Sequence, residues 1–219
     1  MIHNVRALVL WSRRSRDADK IVGLYTAEKG RLTARATSAA RAGAKFTALT
    51  EPFVESELAV YMRPAQAWGK IVGGRICQTF PNLRTQVERS TAASWACEVV
   101  YRLTPEEQPS IEKFSLLKEA LTALETVPCF RILRLAFALR FLGIAGFGVG
   151  NREPWQRLKN HRSEWSARLL QDPLYLLGEE DWSDPLISSL ERLAGDLVND
   201  HLLRPLQVNR FRQMTGINI

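Results

Sequence analysis

The chain has 219 residues, 30 Lys/Arg against 23 Asp/Glu for a formal charge of +7, 46% hydrophobic and 24% charged. That composition is ordinary for a folded globular protein, and the length allows one large domain or two small ones, each with its own core. The most apolar segment, Ile132 to Val149, is interrupted by Arg134 and Arg140; a membrane span would have to bury both charges, so a core helix is expected.

The N-terminus, Met1 to Arg6, has no uninterrupted apolar stretch and no small-residue cleavage site, so no signal peptide and a cytoplasmic location are expected. The three cysteines, Cys77, Cys97 and Cys129, are 20 and 32 residues apart, too far for a zinc knuckle. They read as buried reduced thiols, and no metal or other cofactor is expected.

Charge is spread unevenly. Residues 1–80 hold 13 Lys/Arg against 6 Asp/Glu, whereas residues 81–219 hold 17 of each. The first third therefore looks built to attract a polyanion, and phosphate backbones are the usual target of such a surface. Between Lys29 and Lys45 five bases occur with no acid.

Up to about Gln78 the chain reads as strands. Val5 to Trp11 and Lys20 to Thr26 are rich in β-formers, and Glu28-Lys29-Gly30 turns into Arg31 to Ala36, which alternates with period 2. Arg31, Thr33 and Arg35 share one face of that strand. Thr37 to Ala48 reads as a loop; Phe53 to Tyr61 and Gly69 to Ile76 supply a fourth and fifth strand. Five strands in about 75 residues, without room for crossover helices, predict a small antiparallel barrel or sandwich. The OB-fold is the five-stranded barrel most often used to hold nucleic acid. The fold class is thus all-β plus all-α, with a barrel over residues 1–80 and a helical domain over residues 81–219.

From Pro81 the periodicity becomes helical. Leu83, Val87, Ala92, Ala96, Val99 and Leu103 recur at helical steps; Pro109-Ser110 opens a second helix with Ser110 as N-cap, carrying Ile111, Phe114, Leu117, Leu121 and Leu124. A third helix runs from Phe130 to about Leu142 and ends in the glycine-rich stretch Gly143 to Gly150. Asn151 to Asp181 shows no clear pattern, and helical character returns at Leu186 to Val198 and near Pro205 to Met214.

Candidate polyanion contacts are Arg13, Arg14, Lys20, Arg31, Arg35, Arg41, Lys45, Lys70 and Arg75, with Phe46 as a stacking residue beside Lys45. The competing reading for each is a solvated or packed side chain; Asp17 and Asp19 partly neutralise the bases around them. There is no phosphate-binding glycine loop with Lys-Ser/Thr, no nucleophile with a base in local context and no carboxylate cluster, so no enzyme is expected.

The ordered series of motifs resembles the RecO family of bacterial recombination mediators. It comprises Ala7-Leu8-Val9-Leu10, Asp19-Lys20-Ile21-Val22, Leu24-Tyr25-Thr26, Lys29-Gly30-Arg31, Glu51-Pro52-Phe53 and Phe80-Pro81-Asn82-Leu83-Arg84. It continues with Phe137-Ala138-Leu139-Arg140-Phe141-Leu142, Gly146-Phe147-Gly148 and His201-Leu202-Leu203-Arg204-Pro205-Leu206. The resemblance implies an N-terminal OB-fold, a helical C-terminal domain, binding of single- and double-stranded DNA, annealing of complementary strands and a nucleoid-associated site of action. It also implies partnership with RecR and with the acidic C-terminal tail of single-strand-binding protein. For that tail it points to Arg140, with Arg131, Arg134 and Phe137 on the same predicted helix. Members often carry a four-cysteine zinc module after the Gly-Tyr-Gly stretch; here Asn151 to Trp182 has no cysteine, and Trp155 and Trp165 are the residues expected to hold that region. The family's Lys-Gly-Ala-Arg run is replaced by the uncharged Thr37-Ser38-Ala39-Ala40. A protein-interaction adaptor and an OB-fold RNA binder remain alternatives from the residues alone.

Overall fold

The computed structural model of the protein describes residues 1–15, 18–41, 43, 46–64, 66–128, 130–148, 150, 152–177, 185–201 and 206. Five strands, β1 (Ile2–Arg14), β2 (Lys20–Thr26), β3 (Gly30–Ala36), β4 (Glu55–Tyr61) and β5 (Gly69–Gln78), close into a barrel in the order β1-β2-β3-β5-β4. All pairings are antiparallel except β3 with β5, which run parallel through only two pairs, Ala34 with Gly69 and Arg35 with Lys70. This is the topology of an OB-fold.

Alternation explains the barrel core. Val5, Ala7 and Val9 of β1, Val22 and Leu24 of β2, Leu32, Ala34 and Ala36 of β3, Leu58 and Val60 of β4 and Ile71 of β5 fill the interior. The outward set on β1 and β2 is apolar as well: Leu8, Leu10 and Tyr25 belong to the same cluster as the helices. These two strands are covered on both faces, which is why they read as continuous apolar runs rather than as alternating ones. A bulge between Val9 and Trp11 shifts the register.

The remaining edge of β3 is closed by the second domain. Arg31 forms a parallel bridge with Glu106, and the Glu107 amide donates to the Arg31 carbonyl at 3.2 Å. Gly30, at φ +68°, is needed where the segments meet, since a Cβ there would lie 2.3 Å from the Gln108 carbonyl oxygen.

Eight helices follow among the described residues: α1 (Pro81–Thr85), α2 (Val87–Leu103), α3 (Ile111–Thr126), α4 (Arg131–Ile144), α5 (Glu153–His161), α6 (Ser163–Gln171), α7 (Leu174–Leu177) and α8 (Pro185–Asp200). Ser110 caps α3, accepting from the Lys113 amide at 3.2 Å, as its position predicts. The first predicted helix is broken at Gln86, whose extended backbone separates α1 from α2. Ile111, expected on the buried side of α3, is exposed, while Phe114, Leu117, Leu121 and Leu124 are buried. The helix α4 is apolar almost all round and lies at the centre, with Phe137 stacked on Phe141 at 5.8 Å and edge-on to Trp95 at 6.1 Å.

The region without a clear sequence pattern is largely helical. Trp155, Leu158, Leu169, Leu174 and Leu177 of α5–α7 are buried in the helical core, and Trp165 packs against it. The expected helix near Pro205 to Met214, and Trp182, lie outside the described residues apart from Leu206. Cys97 is buried, and burial pushes its thiol pKa up; Cys77, expected to be buried, is exposed on β5. Cys129 lies outside the described residues. Among the described residues no helix is long and apolar enough to cross a membrane.

Candidate nucleic-acid interface

Register brings three of the candidate bases together. Arg13 pairs with Ile21 across β1 and β2, Ile21 with Arg35 across β2 and β3, and Arg35 with Lys70 across β3 and β5. Directly opposed residues project to the same side of a sheet, and here the side is the outer one, since the alternate residues Val22, Ala34, Ala36 and Ile71 fill the interior. Arg13, Arg35 and Lys70 thus stand in one transverse row over strands about 4.8 Å apart. Two further bases flank it. Arg14, next on β1, reaches the Ala40 carbonyl at 3.5 Å, and the adjacent Arg41 is exposed.

The connection after β3 is pinned beneath this row. Buried Asp19 accepts from the Ser38 amide and from Arg35 Nε, both at 2.6 Å. The amide of Ser38 chiefly, then Arg35 and the nearby Lys70, hold its carboxyl below the ordinary carboxylate value, against the opposing effect of burial. Arg35 is therefore partly neutralised, whereas Arg13, Arg14, Arg41 and Lys70 make no ion pair with any described residue. Phe46 is half-buried against the barrel core. Lys45 lies outside the described residues.

Other candidates are committed elsewhere. Lys20 is nearly buried and meets Glu51 at 2.6 Å at the barrel end. Arg31, although outward-facing as predicted, meets the helical domain rather than solvent. It donates to the Tyr101 carbonyl at 3.0 Å, lies 4.7 Å from the centre of the Tyr101 ring, and pairs with Glu106 at 3.4 Å. Arg75 forms a two-pronged pair with Glu57, at 2.7 and 2.8 Å, opposite it on β4. A single strand thus carries one base in the open row and another in the domain seam, which sequence alternation alone does not distinguish.

The four residues grouped for a partner tail separate. Arg131 and Arg134 line a groove of about 620 Å³ between α4 and α8, with Leu135, Ala138, Ala194 and Val198 as its apolar wall. Arg131 is held there by Glu191, at 2.7 Å, and Ser188, at 2.8 Å; the Arg134 guanidinium lies 5.1 Å from the Trp95 ring centre. Phe137, expected as an apolar floor, is fully buried in the core instead, because α4 is surrounded by other helices. Arg140 points away from this groove. It donates to the carbonyls of Leu169 at 2.8 Å and Arg168 at 3.3 Å, where α6 ends, and to that of Asp172. Burial lowers its pKa from the ordinary guanidinium value, opposed by Glu119 and Asp172.

Two anchoring features escaped the sequence reading. From the sequence Asp19 neutralises the bases next to it in the chain, and only the folding of β3 beside β2 brings it to Arg35, 16 residues away. Glu55, 1% exposed, is held between Arg6 at 2.5 Å and Lys118 of α3 at 3.1 Å, joining the barrel to the helices. Glu55 and Glu57 alternate alike on the outer face of β4, so the strand's pattern does not tell the buried acid from the exposed one. Among the described residues no three His, Cys, Asp or Glu side chains group as metal ligands do.

Comparison with known proteins matches residues 1–80 to the family described as "Recombination protein O N terminal" and residues 84–150 to "Recombination protein O C terminal". The "DNA repair protein RecO" of Syntrophus aciditrophicus is 29% identical over 145 residues, 66% of this chain and 56% of that protein. Those of Pelobacter propionicus and Syntrophobacter fumaroxidans are 33% and 32% identical, over 65% and 64% of this chain and 58% and 56% of theirs. The chain spans a little more than half the length of these relatives.

Proposed function

This chain belongs to the RecO family, and from that premise we propose that it is a DNA-binding mediator of recombinational repair whose barrel holds the nucleic acid. The observation that carries the reading is the row of Arg13, Arg35 and Lys70 with Arg14 and Arg41 beside it, on the outer face of an OB-fold. Such a face neutralises phosphates by counterion release and imposes no base sequence. Holding two strands on it screens their mutual repulsion while complementary bases find each other, so annealing requires no nucleotide hydrolysis. In this reading Lys20, held by Glu51, Arg31, held by the helical domain, and the exposed Arg75, paired with Glu57, lie outside the DNA-contacting face.

We place the acidic tail of single-strand-binding protein in the groove between α4 and α8, where Arg131 and Arg134 lie over an apolar wall. RecR is the second protein partner of this reading, and loading of a recombinase onto coated DNA its outcome. Salt titration of single-stranded DNA binding by fluorescence anisotropy is the test. With about four phosphates neutralised, log K should fall against log salt with a slope of about −3. A flat dependence rejects the row as the site.

A further inference from the structure

Beside the basic row lies a groove of about 420 Å³ between β1 and α2, lined among others by Trp11, Arg13, Glu98, Tyr101 and Arg102. Its volume is within the roughly 300–1,000 Å³ of small-molecule pockets. Trp11 and Arg13 are two apart on β1 and share its outer face. The indole lies over Gly23, its cross-strand partner: a Cβ on Gly23 would fall 2.1 Å from the indole Nε1. Tyr101 closes the inner end edge-on, with ring centroids 5.5 Å apart. Over the indole, 5.6 Å from its ring centre, sits the Arg13 guanidinium, on an exposed side chain with no ion pair to a described residue. Glu98 and Arg102, paired at 3.0 Å, form a polar wall that offers both an acceptor and donors.

We propose that this groove takes an unstacked nucleobase of single-stranded DNA, inserted between the Trp11 indole and the Arg13 guanidinium. Arg13 is the movable layer; the indole, fixed by Gly23 beneath and by its T-shaped contact with Tyr101, is the platform. Both surfaces stack on any base, and the adjoining row holds the phosphates on either side, so one strand engages both. The inference rests on the basic row being the DNA site, and it adds that the protein reads the single-stranded state directly, because a paired base cannot enter the groove.

The test compares an oligothymidylate with an abasic oligomer of equal length, using the full chain and its Trp11→Leu variant, over a range of salt. The wild type should bind the intact oligomer about tenfold more tightly, consistent with the typical strength of one base–aromatic stack. Trp11→Leu should lose that preference while keeping the salt slope, Trp11→Phe should keep part of it, and Gly23→Ala, which displaces the indole, should behave like Trp11→Leu. Equal wild-type binding of the two oligomers overturns the proposal whether or not any variant folds. So does a folded Trp11→Leu protein that weakens on both oligomers alike, which marks a purely structural tryptophan. A normal salt slope with no preference for bases removes the groove and leaves the basic row standing; a flat slope removes both.

Discussion

The two ends of the barrel's outer surface carry the same kinds of residue and use them in opposite ways. At one end Arg13, Arg14, Arg41 and Lys70 have no ion pair with a described residue, although Arg35 and Lys20 beside them meet Asp19 and Glu51. At the other end Arg6 meets Glu55, Arg75 meets Glu57 and Arg31 meets Glu106 and a carbonyl of α2. For Arg6 and Arg31 the difference follows from the domain seam, where charges brought against a second body need partners or face the cost of burial, whereas Arg75 and Glu57 pair in the open as cross-strand neighbours. A net charge of +7 therefore says little about where a polyanion binds until register and packing have removed the bases already spoken for.

The sharpest way to break this contrast is charge reversal at the open end. Replacing Arg13, Arg14, Arg41 and Lys70 by Glu should weaken single-stranded DNA binding more than about 100-fold at physiological salt, with the melting temperature nearly unchanged. Retained binding would move the site off the row. At the seam the consequence should be on folding instead. Glu55→Ala leaves Arg6 and Lys118 facing each other without their shared carboxylate, and should cost about 1–2 kcal/mol in urea unfolding. That is less than a fully buried pair, because both cations reach water.

A smaller effect is expected from pH. The Asp19 carboxyl is held below its ordinary value of 3.8 in the folded chain, so its stabilising contribution is present above that value and is lost as pH falls through the lower folded one. The melting temperature of the wild type should exceed that of Asp19→Asn at neutral pH, and the gap should close below about pH 4. A gap independent of pH would assign Asp19 no electrostatic part in pinning the connection after β3. The smallest change belongs to Arg75→Ala, whose exposed pair with Glu57 should be dispensable for both stability and DNA affinity. A large loss of binding there would extend the DNA footprint to the far end of β5.

Much of this architecture was legible in the sequence, because period-2 and helical patterns are local. The β-forming run Lys20–Thr26 coincides with β2, and Ser110 marks the start of α3 from its position alone. What the sequence could not supply was pairing between distant residues. The carbonyl that takes Arg31 is 70 residues away, and the carboxylate that takes Arg131 is 60 residues away. Phe137 looked like a groove residue because α4 is apolar on nearly every side, which erases the amphipathic signal that tells inside from outside. The helical hairpins at residues 153–177 were equally obscure: their few buried anchors, Trp155, Leu158 and Leu169, are separated by charged runs that resemble solvated loops.

The short stretch Thr104–Gln108 bears on how this protein can be dissected. It lies along β3 as a sixth, borrowed ribbon, and the barrel lends Leu8, Leu10 and Tyr25 to the helices in return. Cutting the gene after residue 80 would strip an edge of its neighbour and leave large apolar side chains, Leu8, Leu10 and Tyr25 among them, in water, the usual recipe for sticky, misassociating fragments. The barrel of this chain is not a portable cassette, and grafting or minimising it should carry the helices along.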